Sequence, residues 1–350
     1  NNGEEMDHTT EHQYPKKNIN NINKAVLVVG GAGYIGSHIS KHLAKNGYTP
    51  VIVDRNVKDN FIAQKFSDVY EINLPRDIHL LDDIIKRYNI DCCIHTAAYT
   101  SVGKSVKQPD SYYQNNVVMT LQLLNKLKEL DVKKFIFSSS AAVYGVPKDG
   151  VCFDTEKNLD PINPYGTTKL IVEKMLREYN TAYGISSISF RYFNAAGADR
   201  DGDIGETHDP ETHIIPIIIK AGFQAKEFNM FGTDHDTPDG TCVRDYIHVD
   251  DIAEAHIKAM ALLDSNICEA INLGSGTGFS NKQIVDEVAK HTGAIKVIDA
   301  PRRAGDPPQL IADITRSKAL LNWKPIHSSI DNVVRTAVQW YKTINKKEIN

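Results

Sequence analysis

Short apolar runs alternate with amphipathic segments through the first half of the chain. The run Ala25–Val29 is unbroken, β-branched and followed by Gly30, which is typical of a strand buried on both faces of a parallel sheet. The apolar spacing over 34–46 predicts a helix, with Gly47 just beyond its end. The same patterns predict strands at 51–53, 69–72, 92–95, 135–137 and 185–191 and helices at 78–88, 110–130 and 165–183.

Regular alternation of strand and helix requires βαβ crossovers, so we expect a Rossmann-like doubly wound parallel α/β sheet. The alternation stops after Asn194, where Gly, Pro and Asp become frequent, and resumes between Tyr246 and Leu273. We therefore expect a Rossmann domain from 24–193 plus 246–275, and a smaller C-terminal α/β lobe from 194–245 plus 276–350. Residues 1–23 are mostly polar and are predicted to be a disordered tail.

Composition excludes several classes of function. The net charge of −4 and the lack of a basic stripe argue against nucleic-acid binding, and no apolar run has the roughly 18 residues of a membrane helix. Five cysteines, an odd number without C-x-x-C spacing, argue against disulfides and a zinc site. We therefore expect a cytoplasmic protein, with Cys92 and Cys93 in the core.

A glycine-rich loop joins the first strand to its helix. The segment Gly30-Gly31-Ala32-Gly33-Tyr34-Ile35-Gly36 lets the backbone approach a pyrophosphate, to which the helix N-terminus presents free N–H groups. Asp54 ends the second strand, where a carboxylate binds ribose hydroxyls and repels a 2′-phosphate. The loop predicts NAD as cofactor, although the adjacent Arg55 would suit a 2′-phosphate.

A Tyr-x-x-x-Lys pattern opens the helix at 165–183. Asn163 is the expected N-cap and Pro164 the first helical residue, which places Tyr165 and Lys169 on one face. Ser138, Ser139 and Ser140 follow the strand at 135–137. Ser140 therefore lies at the sheet edge where ligands bind. We expect Lys169 and a nicotinamide cation to lower the pKa of Tyr165, which then acts as a general base beside Ser140.

With these motifs the chain resembles the extended short-chain dehydrogenase/reductases and, within them, the UDP-glucose 4-epimerase family. The resemblance runs from about Lys24 to Trp340. It rests on the segments GGAGYIG (30–36), YYQNNV (112–117), SSSAAVYG (138–145), PYGTTK (164–169), RYFNAAG (191–197), DGTCVRDYIHVDD (239–251), NLGSGTG (272–278) and PRRAGD (301–306).

The resemblance implies C4 epimerisation of a UDP-sugar, UDP-glucose/UDP-galactose, by transient hydride transfer to tightly held NAD through a 4-keto sugar. The NAD-binding residues it implies are Gly30, Gly33, Tyr34, Ile35, Gly36, Asp54, Asn73, Leu74, Thr96, Ala97, Ala98, Thr100, Asn115, Ser140, Tyr165, Lys169 and Phe193. The substrate-binding residues it implies are Ser140, Tyr165, Asn194, Phe231, Arg244, Arg303, Asp306 and Leu310.

Three of these positions depart from the family pattern or leave it open. Asn73 replaces an Asp that many members place at the adenine, and Thr100 replaces a Lys that some members place near the pyrophosphate. Leu310 lies where the family gates the sugar C2 substituent, with Tyr restricting the pocket and smaller residues admitting N-acetyl sugars. Leucine is intermediate, so UDP-N-acetylhexosamine and UDP-xylose/UDP-arabinose epimerases remain alternatives.

Single sequence features argue against two other classes of function. Dehydratases and decarboxylases need acidic residues after the strand-end hydroxyl, whereas Ala141 and Ala142 follow Ser140. A non-catalytic NAD-sensing protein would tend to lose the Tyr165 and Lys169 pair. Both residues are present here, which argues against that class.

The sequence also bears on metal binding and on assembly. His248 with Asp250 and Asp251 could suggest a metal, but Asp251 is expected to cap the next helix and we expect no metal. A homodimer through the helices near 110–130 and 165–183 follows from the resemblance.

Overall fold

The computed structural model describes residues 24–57 and 65–346, so the predicted disordered tail lies outside the described residues. The strands within these ranges are β1 Ala25–Val29, β2 Thr49–Asp54, β3 Asp68–Glu71, β4 Ile90–His95, β5 Lys134–Ser140, β6 Val151–Cys152, β7 Ser186–Tyr192, β8 Asn194–Ala196, β9 Glu227–Phe231, β10 Val243–His248, β11 Cys268–Leu273, β12 Gly278–Ser280, β13 Lys296–Ala300 and β14 Gln309–Ala312.

The helices cover the predicted segments and add several in the second half. The α-helices are α1 Tyr34–Lys45, α2 Leu81–Tyr88, α3 Val102–Lys107, α4 Pro109–Tyr112, α5 Met119–Glu129, α6 Pro164–Tyr183, α7 Ile214–Phe223, α8 Val249–Leu262, α9 Asn281–Thr292, α10 Thr315–Leu321 and α11 Ile330–Ile344. A π-helical segment, Tyr113–Val118, joins α4 to α5, so the helix predicted at 110–130 is one continuous rod with a local widening. Within the described ranges, no helix is long and apolar enough to cross a membrane.

Seven parallel strands form the main sheet in the order β11-β7-β5-β4-β1-β2-β3. The order runs outward from β1 in both directions, which confirms the doubly wound α/β fold. Because β1 pairs with β2 on one side and β4 on the other, the topological switch lies at the carboxyl ends of β1 and β4. In such sheets that crevice is where ligands bind.

Burial on both faces explains the unbroken apolar run of β1. Val26 and Val28 pack into one hydrophobic cluster, while Leu27 and Val29 pack into the cluster on the opposite face. The adjacent cysteines of β4 divide in the same way, Cys92 to one cluster and Cys93 to the other, and both are fully buried. The prediction that these cysteines belong to the core is confirmed.

Smaller sheets occupy the second half of the chain. One has the order β12-β10-β14-β6, with β8 paired to β10, and the other pairs β9 with β13. Helices α7, α9 and α11 pack together with the buried faces of β9 and β10 around a third hydrophobic cluster. Strand β10 joins the neighbouring strands of this region, since its Tyr246 pairs with Asn194 of β8 and its Arg244 pairs with Leu310 of β14.

The prediction that Asp251 caps the helix after β10 is wrong. Helix α8 begins at Val249 and its N-cap is His248, whose Nδ1 accepts from the backbone N–H of Asp250 at 3.0 Å. Asp251 lies inside the first turn, where its carboxylate accepts from the Ser328 hydroxyl and the His327 N–H. A histidine nitrogen supplied the cap that the sequence pattern assigned to a carboxylate.

Lys41 on α1 is a buried cation held by three carboxylates. Its side chain is 2% exposed, and Nζ lies 2.6 Å from Asp199, 2.8 Å from Asp201 and 3.1 Å from Asp203. Burial alone would lower the Lys41 pKa, but the three hydrogen bonds raise it above its ordinary value. This network ties α1 to the loop that follows β8.

We expect Lys41→Met to lower the free energy of unfolding by about 3 kcal/mol, because it leaves the buried Asp199 carboxylate without its cation. Lys45→Met is the matched control: Lys45 also pairs with Asp201 but is half exposed, so its loss should cost less than about 1 kcal/mol. Urea denaturation of both variants measures the difference, and equal effects would contradict a special role for the buried cation.

Candidate active site

Close packing requires glycine at both ends of the loop between β1 and α1. Gly30 has φ +80°, and a Cβ there would lie 2.6 Å from the Ala97 nitrogen; one on Gly36 would lie 2.4 Å from the Gly30 oxygen. Gly33 is the N-cap of α1 and offers no capping side chain, so the first turn presents backbone N–H groups to the crevice. This is the donor arrangement that a pyrophosphate needs.

The Tyr34 side chain faces away from that crevice. Its hydroxyl donates to the Gly197 carbonyl at 2.5 Å, and its ring stands edge-on to His38 and His208. Tyr34 and the neighbouring Ile35 can therefore offer the crevice their backbone N–H groups, while the Tyr34 ring fixes α1 to the segment after β8.

Asp54 lies at the end of β2, beside the glycine loop. Its carboxylate accepts from the Ala32 N–H at 3.1 Å and the Asn56 N–H at 3.1 Å. Burial raises the pKa of this carboxyl, and the backbone hydrogen bonds act against that rise. The neighbouring Arg55 is drawn to Tyr99, since its guanidinium donates to the hydroxyl at 3.0 Å and packs over the ring.

The segment after β4 forms the far wall of the glycine loop. Thr96 donates through its hydroxyl to the Val29 carbonyl at 2.9 Å, which keeps the segment against β1. The predicted residues here and after β3 are Asn73, Leu74, Thr96, Ala97, Ala98 and Thr100.

Asn116 is a structural residue that the sequence analysis missed. It lies in the π-helical segment, is 4% exposed, and accepts from the Tyr99 N–H while donating to the Tyr99 carbonyl and the Thr168 hydroxyl. It therefore clamps the segment after β4 to helix α6. Asn115, which the resemblance singles out, donates to Asn116 at 3.0 Å and is half-buried.

Helix α6 begins as the sequence predicts. Asn163 is its N-cap, with the side chain accepting from the Gly166 N–H at 2.9 Å, and Pro164 is its first residue. Ser140 ends β5, and its oxygen accepts from the Ala142 N–H at 3.1 Å. That leaves the Ser140 proton free for donation, and hydrogen bonding by Ser140 lowers the pKa of the Tyr165 phenol against the effect of burial. The structure thus brings Ser140 and Tyr165 together.

Burial controls the ionisation of the Tyr165 and Lys169 pair. It raises the pKa of Tyr165, with the Ser140 hydrogen bond acting the other way, and it lowers the pKa of Lys169 to about 7. The Lys169 ammonium donates to the Ser138 carbonyl at 2.7 Å and lies 5.7 Å from the centre of the Tyr165 ring. In the chain alone, burial thus keeps the Tyr165 pKa above its ordinary value, and the expected lowering by Lys169 together with a nicotinamide cation stays a prediction.

A buried ion pair holds the middle of α6 against the sheet. Glu173 accepts from the Arg191 guanidinium at 2.6 Å and from the Ser139 hydroxyl at 2.7 Å. Arg191 also donates to the Tyr144 hydroxyl at 3.0 Å. Glu173 lies one turn beyond Lys169, so this pair sets the position of the helix that carries Tyr165. The sequence pattern gave no sign of it, since buried charge is recognisable only once the partners meet.

The expected substrate residues meet at the edge of the smaller sheets. Arg244 lies 3.9 Å from the Asp306 carboxylate, and the Arg303 guanidinium lies 4.1 Å from the centre of the Phe231 ring. A base that stacks on Phe231 must therefore use its other face or displace Arg303. Two basic side chains beside an exposed ring match the charge and shape of a nucleoside diphosphate.

Asp245 organises this edge and was also missed. It is fully buried in β10, and its carboxylate accepts from the backbone of Ser275 at 2.7 Å, Gly276 at 3.0 Å and Ala312 at 3.1 Å. Its own carbonyl accepts from the Asn194 side chain at 3.0 Å. Asp245 thus fixes the strand on which Arg244 lies and the strand of Leu310.

Leu310 and Phe193 border the catalytic segment. Both pack against a small hydrophobic cluster made by Val143, Tyr144 and Cys152. Val143 and Tyr144 follow closely after Ser140 in the chain. Leu310 therefore connects the segment after Ser140 to the edge that carries Arg244.

A further cluster lies in the loop between β8 and α7. Glu206, His208, Glu211 and His213 each offer one ligand atom within 4.8 Å of the others. Burial opposes protonation of His213, but hydrogen bonds to the two glutamates raise its pKa to about 10. A cavity of about 80 Å³ adjoins the cluster and reaches Asn194.

Three comparisons place the chain among known proteins. The model of the NAD dependent epimerase/dehydratase family matches residues 26–274. The chain is 45% identical to UDP-glucose 4-epimerase of Halalkalibacterium halodurans, over 91% of this chain and 96% of that protein.

Solved structures agree with the sequence comparisons. The fold resembles UDP-glucose 4-epimerase from Brucella ovis in complex with NAD, with TM-score 0.85, 43% identity and coverage of 90% of this chain and 97% of that one. It also resembles UDP-glucose 4-epimerase from Bifidobacterium longum in complex with NAD⁺ and UDP, with TM-score 0.82, 35% identity and coverage of 93% and 100%. With this family model over residues 26–274 and relatives more than 40% identical over about nine-tenths of its length, the chain belongs to the NAD dependent epimerase/dehydratase family.

Proposed function

We propose that this chain is an NAD-dependent UDP-sugar 4-epimerase that interconverts UDP-glucose and UDP-galactose through a 4-keto sugar. The observation that carries the proposal is that Ser140, Tyr165 and Lys169 lie together in a fold that also has the glycine cradle, the loop of residues 30–36 between β1 and α1. The UDP-glucose 4-epimerases to which the chain is similar over nine-tenths of its length support the same reaction.

The chain's donors fit a dinucleotide. The uncapped first turn of α1 presents N–H groups to a pyrophosphate, and Asp54 offers its carboxylate to ribose hydroxyls. Arg55 is engaged by Tyr99, which favours NAD over NADP. When bound, NAD supplies the hydride acceptor and, in its oxidised form, a positive charge near Tyr165. The remaining proposed contacts are Gly30, Gly33, Tyr34, Ile35, Gly36, Asn73, Leu74, Thr96, Ala97, Ala98, Thr100, Asn115 and Phe193.

Tyr165 holds and moves the proton. The phenolate of Tyr165 takes the proton of the sugar 4-hydroxyl and the resulting phenol returns it, while Ser140 donates a hydrogen bond to the same sugar oxygen. Lys169, whose pKa burial lowers to about 7, is poised to exchange a proton near neutral pH. The nearby Ala141 and Ala142 carry no acid or base, so the site lacks the groups that elimination or decarboxylation would need.

The diphosphate and nucleoside have their own residues. Arg244 and Arg303 bind the diphosphate oxygens by forked hydrogen bonds, and Asp306 binds ribose hydroxyls. Phe231 stacks on uracil and Asn194 orients the sugar end. The half-exposed Phe231 ring and the hydrogen bond that fixes Asn194 to β10 support these roles.

Assembly, domain division and compartment are further proposals. The exposed Tyr113 and Leu121 on the rod over 109–129 support a homodimer through that rod and α6. The main sheet and the smaller sheets support an NAD-binding domain over 24–193 plus 246–275 and a UDP-sugar domain over 194–245 plus 276–350. All five cysteines are free thiols, in keeping with the reducing cytoplasm.

Tyr165→Phe should lower turnover at least ~10²-fold, because it removes the proton acceptor, while NAD content and the melting temperature stay near wild type. Tyr183→Phe is the matched control at the exposed end of the same helix and should keep full activity. Coupled assay of UDP-galactose conversion measures both, and near-normal turnover of Tyr165→Phe would remove Tyr165 from the mechanism.

Lys169→Met should lower turnover at least ~10²-fold yet leave the free energy of unfolding at pH 7 unchanged or up to about 2 kcal/mol higher, since a buried cation is replaced by an apolar chain. Between the folded pKa of about 7 and the unfolded value of about 10.4, the unfolded wild type binds a proton that the folded state lacks. Wild-type stability therefore rises with pH in this window.

Urea unfolding of both proteins at pH 7 and pH 9 tests the sign. The wild type should gain about 2 kcal/mol on Lys169→Met between these values. No relative change would show that Lys169 titrates in the folded state as it does in the unfolded chain, and a gain by the variant would show that the fold stabilises the charge of Lys169; either result would contradict the desolvated ammonium.

Leu310→Tyr should narrow the sugar end of the crevice and reduce turnover of UDP-N-acetylglucosamine relative to UDP-glucose at least ~10-fold. Turnover of UDP-glucose by the same variant is the internal control and should stay near wild type. A panel of UDP-hexoses, UDP-pentoses and UDP-N-acetylhexosamines, assayed with both proteins, measures the ratio. An unchanged ratio would separate Leu310 from C2 selectivity, and a wild-type preference for pentoses would replace the proposed substrate.

A further inference from the structure

The loop between β8 and α7 carries two glutamates and two histidines in alternation, Glu206, His208, Glu211 and His213. Their ligand atoms, one from each residue, all lie within 4.8 Å of one another. We propose that these four side chains bind a divalent transition-metal ion of the zinc class, at a site separate from the Tyr165 chemistry.

The donor set selects the class of ion. Two imidazole nitrogens with two carboxylate oxygens suit zinc and its first-row neighbours, whereas magnesium and calcium prefer all-oxygen sites. Four protein ligands complete a tetrahedral shell, which is the arrangement of a structural site rather than a catalytic one. All four donors come from the eight residues 206–213, so the ion would close one loop.

Charge balance points the same way. The Glu206 side chain is 7% exposed, and the ion-pair partners of Glu206 and Glu211 among the residues described are the two histidines. No lysine or arginine of the described ranges 24–57 and 65–346 pairs with either carboxylate. Because metal ligands bind in their deprotonated forms, an ion here would replace the protons that the histidines and glutamates share and would balance the two carboxylates. A dication neutralises the cluster.

The cluster is held in place by contacts outside itself. The Trp340 indole donates to the Glu206 carbonyl at 3.0 Å. The His208 ring stands edge-on to Tyr34, which is itself fixed to Gly197. Because the backbone and one imidazole are already positioned, binding an ion requires little further ordering.

The site borders the proposed substrate crevice. Glu206 and His213 line the cavity of about 80 Å³ that Asn194 and Tyr246 also line. An ion at the cluster would therefore fix the wall of this cavity without contacting the phenol of Tyr165.

Metal analysis of the full chain, purified without a histidine tag, tests the proposal. After chelator treatment and dialysis, zinc titration against a chromophoric competitor should give one ion per chain. His213→Ala and Glu211→Gln should each weaken zinc affinity at least ~100-fold, since direct ligands matter more than the outer partners of metal sites. His79→Ala, an exposed histidine outside the cluster, should bind zinc like the wild type.

Thermal unfolding gives a second readout that does not depend on turnover. Zinc should raise the melting temperature of the wild type and of His79→Ala but not that of the two ligand variants. If His213→Ala does not fold, Glu211→Gln decides, because it keeps the size of the Glu211 side chain, which is 19% exposed. Failure of the chelated wild type to bind zinc, or equal binding by wild type and Glu211→Gln, would overturn the proposal and leave a proton-shared histidine–glutamate network.

Discussion

Burial of the Lys169 ammonium is the constraint on which the catalytic region depends. Its hydrogen-bond acceptor is the backbone carbonyl of Ser138 at 2.7 Å, and within the described residues it forms no ion pair. Desolvation therefore works against its charge, as it works against the ionised form of Tyr165. Lys169 is therefore close to losing its proton whereas Tyr165 retains its own, and a positive charge brought by a ligand shifts Tyr165 toward the phenolate.

A cation kept in this state needs rigid surroundings. Helix α6 is fixed at its start by the Asn163 cap and in its middle by the Glu173–Arg191 pair. Asn116 joins the same helix to the segment beside the glycine cradle. These contacts place Tyr165 relative to the cradle, so the geometry between cofactor cleft and phenol is set by buried polar groups outside the reaction itself.

A second buried lysine, Lys41, has its pKa raised rather than lowered. Lys41 is as deeply buried as Lys169, yet three aspartates surround it and raise its pKa. One lysine is stabilised as a permanent cation that fastens α1 to the loop after β8, and the other is held near neutrality. The difference follows from the neighbours, because burial is the same in both cases.

The sequence by itself determined the doubly wound sheet, the glycine cradle with Asp54, and the Ser140, Tyr165 and Lys169 set. Each of these depends on local periodicity, backbone freedom or short spacing, which the residue order records directly. Only the tertiary structure decided that His248 rather than Asp251 caps α8, that Arg303 covers one face of Phe231, and that desolvation raises the pKa of Tyr165. It alone revealed Asn116, Asp245, the Glu173–Arg191 pair and the contacts around Glu206 and His213. Burial and pairing between residues far apart in the chain have no local signature, so charges and hydrogen bonds of this kind acquire their meaning only when the fold brings the partners together.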